Sequence, residues 1–325
     1  MEKTNVNKIT TNPIVLFLKN NMGILLALLC LCVVLTFATD SFLTDKNLLT
    51  VLRQICINAL LAIGMTFVLI IGGIDLTVGS VVGASGVAAV MFMEAGMPIW
   101  PAIFVAILFG ALIGLINGTI IAFTGMPAFI VTLALQGAIR GIAYIITDGR
   151  SVASNNDLFT SMGNGYFAGI PIPIYILIAV IIAMSVLLYK TKFGRRMYAI
   201  GGNATAAKFT GIKIKSITVR VYMISGSLAA LAGVVLASRM YSGQPTAGLN
   251  YEADAIAAAV LGGTSFNGGI GTIGGTIIGA LVIGILSNGL NLLHISSYVQ
   301  MVVKGVVIIL AVGFDLLKNR QMARQ

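Results

Sequence analysis

Charged residues divide the chain into long apolar stretches. Uncharged runs occupy residues 20–39, 54–74, 76–93, 95–139, 158–189, 221–238, 255–303 and 305–314. Because a helix crosses the hydrocarbon core of a bilayer in about 20 residues, most runs predict one membrane-spanning helix each. The run 95–139 has room for two helices with a turn at 125–127, and 255–303 has room for two with breaks near 268–271 and 294–297. The pattern therefore predicts an all-α polytopic membrane protein with about ten spans, some of them broken.

Composition agrees with a membrane protein and excludes several other classes. Of the 325 residues 58% are hydrophobic and 9% are charged, whereas soluble domains carry roughly a quarter charged residues. Three cysteines and the single histidine, His294, offer too few ligands for a zinc site. We therefore expect neither a metal site nor a catalytic site.

The positions of the charges predict the topology. The chain has 20 Lys and Arg against 10 Asp and Glu, and cytoplasmic loops of membrane proteins carry an excess of Lys and Arg. Residues 190–220 contain basic residues and no acid, so they are predicted to form the main cytoplasmic loop. A single transmembrane domain is predicted over residues 22–317. The basic segment 1–21 before it is expected to be cytoplasmic or interfacial, and the basic segment 318–325 after it is expected to be a cytoplasmic tail. The basic excess follows these loops, so we expect no nucleic-acid partner.

The acidic residues are predicted to lie on the opposite face of the membrane. They cluster at 40–45, at Glu94, at 148–157 and at 252–254. Arg140 and Lys304, which stand inside or beside apolar runs, are expected to extend toward an interface.

Two glycine-rich segments, 71–80 and 261–271, interrupt apolar runs with polar side chains. Irregular backbone at membrane depth is tolerated where it is buried in protein or lines a cavity, and matching breaks in two halves indicate a transport path. Asp75 admits two interpretations: a cap for a helix that starts at Leu76, or a place in the path. The predicted translocation residues are Gly72, Gly73, Asp75, Asn117, Gly262, Gly263, Asn267 and Asn288. Glycines spaced by four, such as Gly110 and Gly114, predict close helix packing.

Long segments of the chain resemble a known family. Residues 59–80, 194–212 and 244–305 are similar to the permease subunits of bacterial ABC importers for monosaccharides, and among them to the ribose importers. The resemblance implies a homodimer that docks an ABC ATPase subunit on its cytoplasmic side and receives sugar from an extracytoplasmic binding protein. No Gly-x-x-x-x-Gly-Lys-Ser/Thr motif is present, so ATP and Mg²⁺ are expected on the partner ATPase.

Residues 203–211 resemble the Glu-Ala-Ala…Gly coupling signature of ABC permeases, although Ala204 or Thr205 replaces the glutamate. The alternative interpretation is a basic loop held near anionic membrane lipid. The predicted coupling residues are Gly194, Arg195, Arg196, Asn203, Ala204, Thr205, Ala206, Ala207 and Gly211.

We expect an importer subunit of the cell membrane that moves a monosaccharide, ribose, into the cytoplasm by alternating access. An ion-coupled secondary sugar carrier is the alternative, with Asp75 as the one carboxylate placed to couple an ion. An intramembrane enzyme is disfavoured because no span carries a convincing nucleophile and base.

Overall fold

The protein is built almost entirely of helices. The computed structural model describes residues 21–322, and the side chains of residues 21–310, 312 and 313. Thirteen helices occur in this part of the chain: α1 Met22–Ala38, α2 Asp45–Ile70, α3 Val78–Glu94, α4 Ile99–Thr124, α5 Ala128–Thr147, α6 Asp157–Asn164, α7 Ile172–Ser185, α8 Lys192–Gly202, α9 Ala204–Phe209, α10 Ile214–Arg239, α11 Tyr251–Leu261, α12 Ile273–Leu292 and α13 Ser297–Met322.

Short irregular elements complete the described chain. A π-helical turn, Val186–Lys190, extends α7. Two-residue strands form two antiparallel pairs, in which β1 (Val152–Ala153) pairs with β4 (Ser242–Gly243) and β2 (Tyr166–Phe167) pairs with β3 (Ile170–Pro171). The sheet content is therefore confined to loop contacts, and the predicted all-α fold is confirmed.

Most of the predicted spans are present as apolar helices. Six helices are long and apolar enough to cross a membrane, namely α2, α4, α5, α7 with its π-helical turn, α10 and α12, and α1, α3 and 297–310 of α13 are shorter apolar helices. The tenth predicted span corresponds to α11, which has 11 residues and so rises only about 16 Å. An irregular segment, 244–250, precedes α11, so this span is broken, as is the span of α3 after the irregular residues 71–77.

Glycines bring α10 into backbone contact with α4 at the centre of the bundle. A Cβ on Gly110 would overlap the carbonyl oxygen of Gly226, and one on Gly226 would overlap that of Gly110. Gly114 lies in the same way against the Tyr222 carbonyl. The predicted packing role of Gly110 and Gly114 is confirmed, and it leaves α10 among the most buried helices of the bundle.

The segment 190–213 carries α8 and α9 and defines what we call the basic end of the bundle. The loop is shorter than the predicted 190–220, because α10 already begins at Ile214.

The turn predicted at 125–127 is confirmed, with Gly125 in the left-handed conformation at φ 74°. At the C-terminus α13 continues to Met322, past residue 317, where the membrane domain was expected to end. Residues 1–20 and 323–325 of the two predicted tails lie outside the described residues.

One prediction about the acidic residues is wrong. Glu252 and Asp254 do not lie in a loop on the far face, because they occupy the first turn of α11, where Asp254 is buried. Acidic residues are common both in loops and in the first turn of helices, because a carboxylate near a helix N-terminus is favoured by the helix dipole. The sequence pattern alone therefore did not distinguish the two.

Candidate functional site

At the basic end, α8 folds back onto the end of α7. The Thr191 hydroxyl caps α8 by accepting hydrogen bonds from the backbone N–H groups of Phe193 at 3.2 Å and Gly194 at 3.4 Å. A Cβ on Gly194 would overlap the carbonyl oxygen of Leu188. Glycine is therefore required at position 194 for the close approach of the two helices.

The residues that resemble the coupling signature form the short helix α9, and a glycine follows it. The Asn203 side chain accepts a hydrogen bond from the Ala206 N–H at 2.9 Å, and Gly211 follows with φ 78°. Phe209 projects from α9 and is 86% exposed. Among the predicted coupling residues, Gly194 and Ala207 are buried, and Arg195, Arg196, Asn203, Ala204, Thr205, Ala206 and Gly211 are exposed.

The exposed face of α9 borders an open groove. Ala204, Thr205, Lys208, Phe209 and Ile214 line this groove, which has a volume of about 530 Å³. Large apolar side chains on a protein surface are typical of contact sites for other proteins when polar residues surround them. We call this surface the α9 groove, and it presents the exposed Phe209 beside the cation of Lys208.

The opposite side of α8 lies against both glycine-rich breaks. A Cβ on Gly201 would overlap the carbonyl oxygen of Ile70, the last residue of α2, and the backbone nitrogen of Gly269. Those two backbone groups are themselves joined by a hydrogen bond of 2.9 Å from the Gly269 N–H to the Ile70 oxygen. One glycine of α8 thus contacts the beginning of the first break and the middle of the second.

Two tyrosines extend this contact to the start of α12. The Tyr198 hydroxyl donates a hydrogen bond of 2.7 Å to the Gly271 carbonyl, and the Tyr189 hydroxyl accepts one of 2.9 Å from the Ile273 N–H. Burial, with a smaller contribution from Tyr189, raises the pKa of Tyr198 to about 12. Tyr198 therefore stays protonated and able to donate at any physiological pH.

The two breaks touch one another. Gly72 has φ 78° and Gly268 has φ 85°, a backbone conformation that glycine adopts at little cost. A Cβ on Gly268 would lie 3.1 Å from the Gly72 nitrogen, and one on Gly72 would lie 4.0 Å from the Asn267 carbonyl oxygen. The structure therefore brings together the segments around Gly72 and Asn267, which the sequence placed in separate halves.

The other predicted residues of the breaks are held by different neighbours. Gly73 lies against the Tyr222 hydroxyl, which a Cβ would approach to 2.5 Å, and Gly262 packs on the backbone of Gly275. Gly263 has φ 85° and open space around it. The contact between the breaks is therefore made around Gly72 and Gly268, and Gly73, Gly262 and Gly263 do not take part in it.

Asp75 is buried in a network of hydrogen bonds. Its carboxylate accepts bonds from the Thr77 N–H at 3.0 Å, the Thr77 hydroxyl at 2.5 Å and the Ser225 hydroxyl at 2.7 Å. The Asn117 amide donates to the Thr77 hydroxyl at 2.9 Å. Asp75 is 0% exposed. The helix begins at Val78 rather than at Leu76, so Asp75 closes the turn that precedes α3.

This network lies at membrane depth. Ser225 stands about 16 Å along α10 from Ile214, and Asn117 about 10 Å along α4 from Thr124, at 1.5 Å per residue. Both helix ends belong to the basic end of the bundle. The first break is therefore irregular backbone enclosed by helices, as irregular backbone within a bilayer must be.

Asn288 lies apart from the other seven predicted translocation residues. Its side chain exchanges two hydrogen bonds with that of Asn47, of 2.8 and 3.1 Å. Asn47 belongs to the first turn of α2 and stands about 35 Å along that helix from Ile70. The structure therefore places Asn288 at the end of the bundle remote from the breaks.

Arg140 forms an internal polar contact that the sequence analysis missed. Its guanidinium donates hydrogen bonds to the backbone carbonyls of Gly79 at 2.9 Å, Ala247 at 2.6 Å and Pro245. The prediction that Arg140 extends to an interface is wrong. It stands about 18 Å along α5 from Ala128, inside the bundle.

The prediction that Lys304 extends to an interface is also wrong. Its ammonium group forms an ion pair of 2.7 Å with Asp254, whose side chain is 6% exposed. The pair joins α11 to α13. A second polar contact of the same region joins Gln136 to Glu252 at 3.1 Å and so ties α5 to α11. Charges of opposite sign in apolar helices are the sequence signal for such pairs.

The fold is that of a multi-pass membrane protein. Its basic segment, 190–213, packs through α8 on the irregular backbone of the two glycine-rich breaks. Comparison with known proteins makes the class specific. Residues 47–312 match the family described as branched-chain amino acid transport system / permease component, and the chain belongs to this permease family.

Individual relatives are similar over nearly the whole chain. The ribose import permease protein RbsC of Haemophilus influenzae is 47% identical over 294 residues, which cover 89% of this chain and 91% of the relative. RbsC of Bacillus subtilis is 47% identical over 300 residues, 92% of this chain and 93% of the relative. The D-allose transport system permease protein AlsC of Escherichia coli is 37% identical over 286 residues, 88% of each chain. No solved structure matches significantly.

Proposed function

We propose that the chain is the membrane permease subunit of an ATP-driven ABC importer that carries ribose into the cytoplasm. The relatives named as ribose import permeases, at 47% identity over about nine-tenths of the chain, support the cargo. The structural observation that carries the proposal is the packing of α8 against both breaks through Gly201. A permease driven from the cytoplasm needs such a contact between its cytoplasmic element and its transmembrane path.

The α9 groove is the proposed docking surface for the ATPase subunit. That subunit would bind ATP and Mg²⁺ and supply the free energy, and this chain would receive only movement. Phe209 is available to a partner because it is 86% exposed. A displacement of α9 would move α8, since only Asn203 separates the two helices.

Movement of α8 would reach the path through three contacts. Gly201 touches Ile70 and Gly269, and Tyr198 holds Gly271. Left-handed glycines such as Gly72 can absorb the accompanying changes in backbone dihedral angles. We propose that the sugar passes along the region of Gly72, Gly73, Gly262, Gly263 and Asn267, beside the buried network of Asp75 and Asn117, with a second copy of the chain completing the path.

The extracytoplasmic sugar-binding protein would meet the end of the bundle opposite the basic end. That end includes the loops around Glu94 and 148–157, where the acidic residues outside the bundle interior are concentrated. With the basic end in the cytoplasm, the protein would be a multi-pass protein of the bacterial cytoplasmic membrane.

The environment of Asp75 favours an importer over an ion-coupled carrier. A coupling carboxylate must exchange an ion or proton with water during each cycle, whereas the carboxylate of Asp75 is 0% exposed and accepts three hydrogen bonds. Asp75 therefore serves better as a structural anchor between α3 and α10.

The test is uptake of labelled ribose by proteoliposomes that contain this chain, its candidate ATPase and its candidate binding protein. Uptake should require ATP and both partners, and unlabelled ribose should compete more strongly than other pentoses and hexoses. If the chain alone carries sugar in response to an imposed ion gradient, the ABC proposal fails. If uptake needs ATP but another sugar competes better, the cargo assignment fails and the importer stands.

A further inference from the structure

Two adjoining surface grooves flank Arg220 at the basic end. One lies between α10 and the end of α4, has a volume of about 510 Å³ and includes Phe123, Lys213 and Lys215 among its lining residues. The other lies between α10 and the α7–α8 corner and has a volume of about 410 Å³. Arg220 and Met223 line both, so together they form one surface, the Arg220 groove.

Polarity changes along the axis of α10 within this groove. Lys213 precedes the first residue of the helix and Lys215 lies in its first turn, at the surface of the basic end. Arg220 stands about 10 Å further along, followed by Met223 and Ile224. The groove is thus cationic at its mouth and apolar deeper in the bundle.

Aromatic and aliphatic side chains form the walls. The Lys215 ammonium lies 4.6 Å from the centre of the Phe123 ring, and 63% of Phe123 is exposed. Val219 lines the groove on the α10 side. An exposed phenylalanine beside a lysine is suited to a ligand with a charged part and an apolar part, because the ring offers apolar area next to the cation.

The cations of the groove have no acidic partner in the described part of the chain. The ion pairs found there join Arg150 to Asp148 and Lys304 to Asp254. Residues 190–220 contain no acid at all. This cationic cluster stands at the boundary between apolar helices and water, where its charge is complementary to that of an anion from outside the chain.

We propose that the Arg220 groove binds one anionic phospholipid of the leaflet at the basic end. Lys213, Lys215 and Arg220 would contact the phosphate, and an acyl chain would follow Phe123 and Met223 toward the bilayer centre. Basic pockets between transmembrane helices on the cytoplasmic side are suited to anionic lipid headgroups. The inference goes beyond the importer function and does not depend on the identity of the cargo.

The test measures lipid retention by the purified chain without its partners. Native mass spectrometry from detergent compares phosphatidylglycerol with phosphatidylcholine, for the wild-type chain, for K213Q/K215Q/R220Q and for K190Q/K192Q/K208Q. The second triple variant is the matched control, because it removes the same charge from residues outside the groove. Thermal unfolding of each variant in detergent checks that the chain is folded, and Lys215→Gln alone serves if the triple variant is not.

The wild-type chain should retain one phosphatidylglycerol in preference to phosphatidylcholine. The groove variant should lose about a hundredfold in affinity, since each Lys or Arg near an anionic lipid contributes roughly a factor of five, or about fivefold for Lys215→Gln. The control should change by less than about threefold.

Three results would overturn the proposal. Equal losses in the two triple variants would show a general charge effect of the basic end. Displacement of the lipid by millimolar inorganic phosphate would show that the groove recognises phosphate alone. Unchanged phosphatidylglycerol retention by a folded groove variant would show that the groove does not bind the lipid.

Discussion

Gly201→Ala is the sharpest test of the contact between α8 and the two breaks. The added methyl group would overlap the Ile70 oxygen and the Gly269 nitrogen. Both are backbone atoms, so neither can rotate away as a side chain would. The next residue provides a matched control, because a Cβ on Gly202 would meet nothing within 4 Å.

The cost can be worked out from the two contacts. Forcing a methyl group into close packing costs about 1–3 kcal/mol, and losing the hydrogen bond between Ile70 and Gly269 costs about 1 kcal/mol. The docked arrangement of α8 should therefore be destabilised by about 2–4 kcal/mol, or roughly 30- to 700-fold in the docking equilibrium. The gain of helix propensity from glycine to alanine applies to both variants and cancels in the comparison.

The assay is the initial rate of labelled-ribose uptake in proteoliposomes with the ATPase and the binding protein. Gly201→Ala should lower the rate at least about tenfold, on the scale of the lost docking energy, while Gly202→Ala stays within about twofold of wild type. The ATPase should still co-purify with both variants, because the α9 groove is unchanged. Equal uptake by the two variants would refute the role assigned to Gly201.

Three further predictions concern single contacts. Lys304→Ala should lower stability in a detergent unfolding assay by about 3–5 kcal/mol, because it leaves Asp254 buried and unpaired, and the double variant with Asp254→Ala should recover part of the loss. Arg140→Lys should destabilise nearly as much as Arg140→Gln in that assay, since one ammonium cannot reproduce the hydrogen bonds of the guanidinium to three carbonyls. Tyr198→Phe should cost about 1 kcal/mol, equally at pH 6 and pH 9. Because the fold raises the pKa of Tyr198, its contribution to stability is complete below the tyrosine pKa of about 10 in the unfolded chain. This contribution is lost as the pH rises through about 12.

The helices could be predicted from the sequence because hydrophobic runs and charged boundaries report directly on the membrane. The turn at Gly125 and the cap at Asn203 are equally local, since each depends on a few neighbouring residues. Long-range pairing is different. The sequence shows Arg140 and Lys304 as isolated charges and Asp254 as part of an acidic cluster, and only the fold shows that carbonyls or opposite charges face them.

The candidate site shows the same division. The breaks at Gly72 and Gly262 could be recognised because paired glycines interrupt apolar runs. Their contact with each other and with α8 could not, because Gly201 looks like any other glycine until the approach of α2 is known. Asn117 and Asn288 are both predicted to lie in the path, and the fold separates them because Asn288 pairs with Asn47 at the remote end of α2 whereas Asn117 bonds Thr77 beside Asp75.

The first break has one end tied to α8 and the other tied to the bundle. Ile70, on the α2 side, contacts Gly201, whereas Asp75, on the α3 side, is held by Ser225 of α10 and, through Thr77, by Asn117 of α4. When α8 moves, the Asp75 network resists displacement because its polar groups are buried and would be left unsatisfied. The change in backbone dihedral angles must then fall between these two anchors, where Gly72 already occupies the left-handed region. We therefore expect the hinge of the transport cycle at residues 71–74.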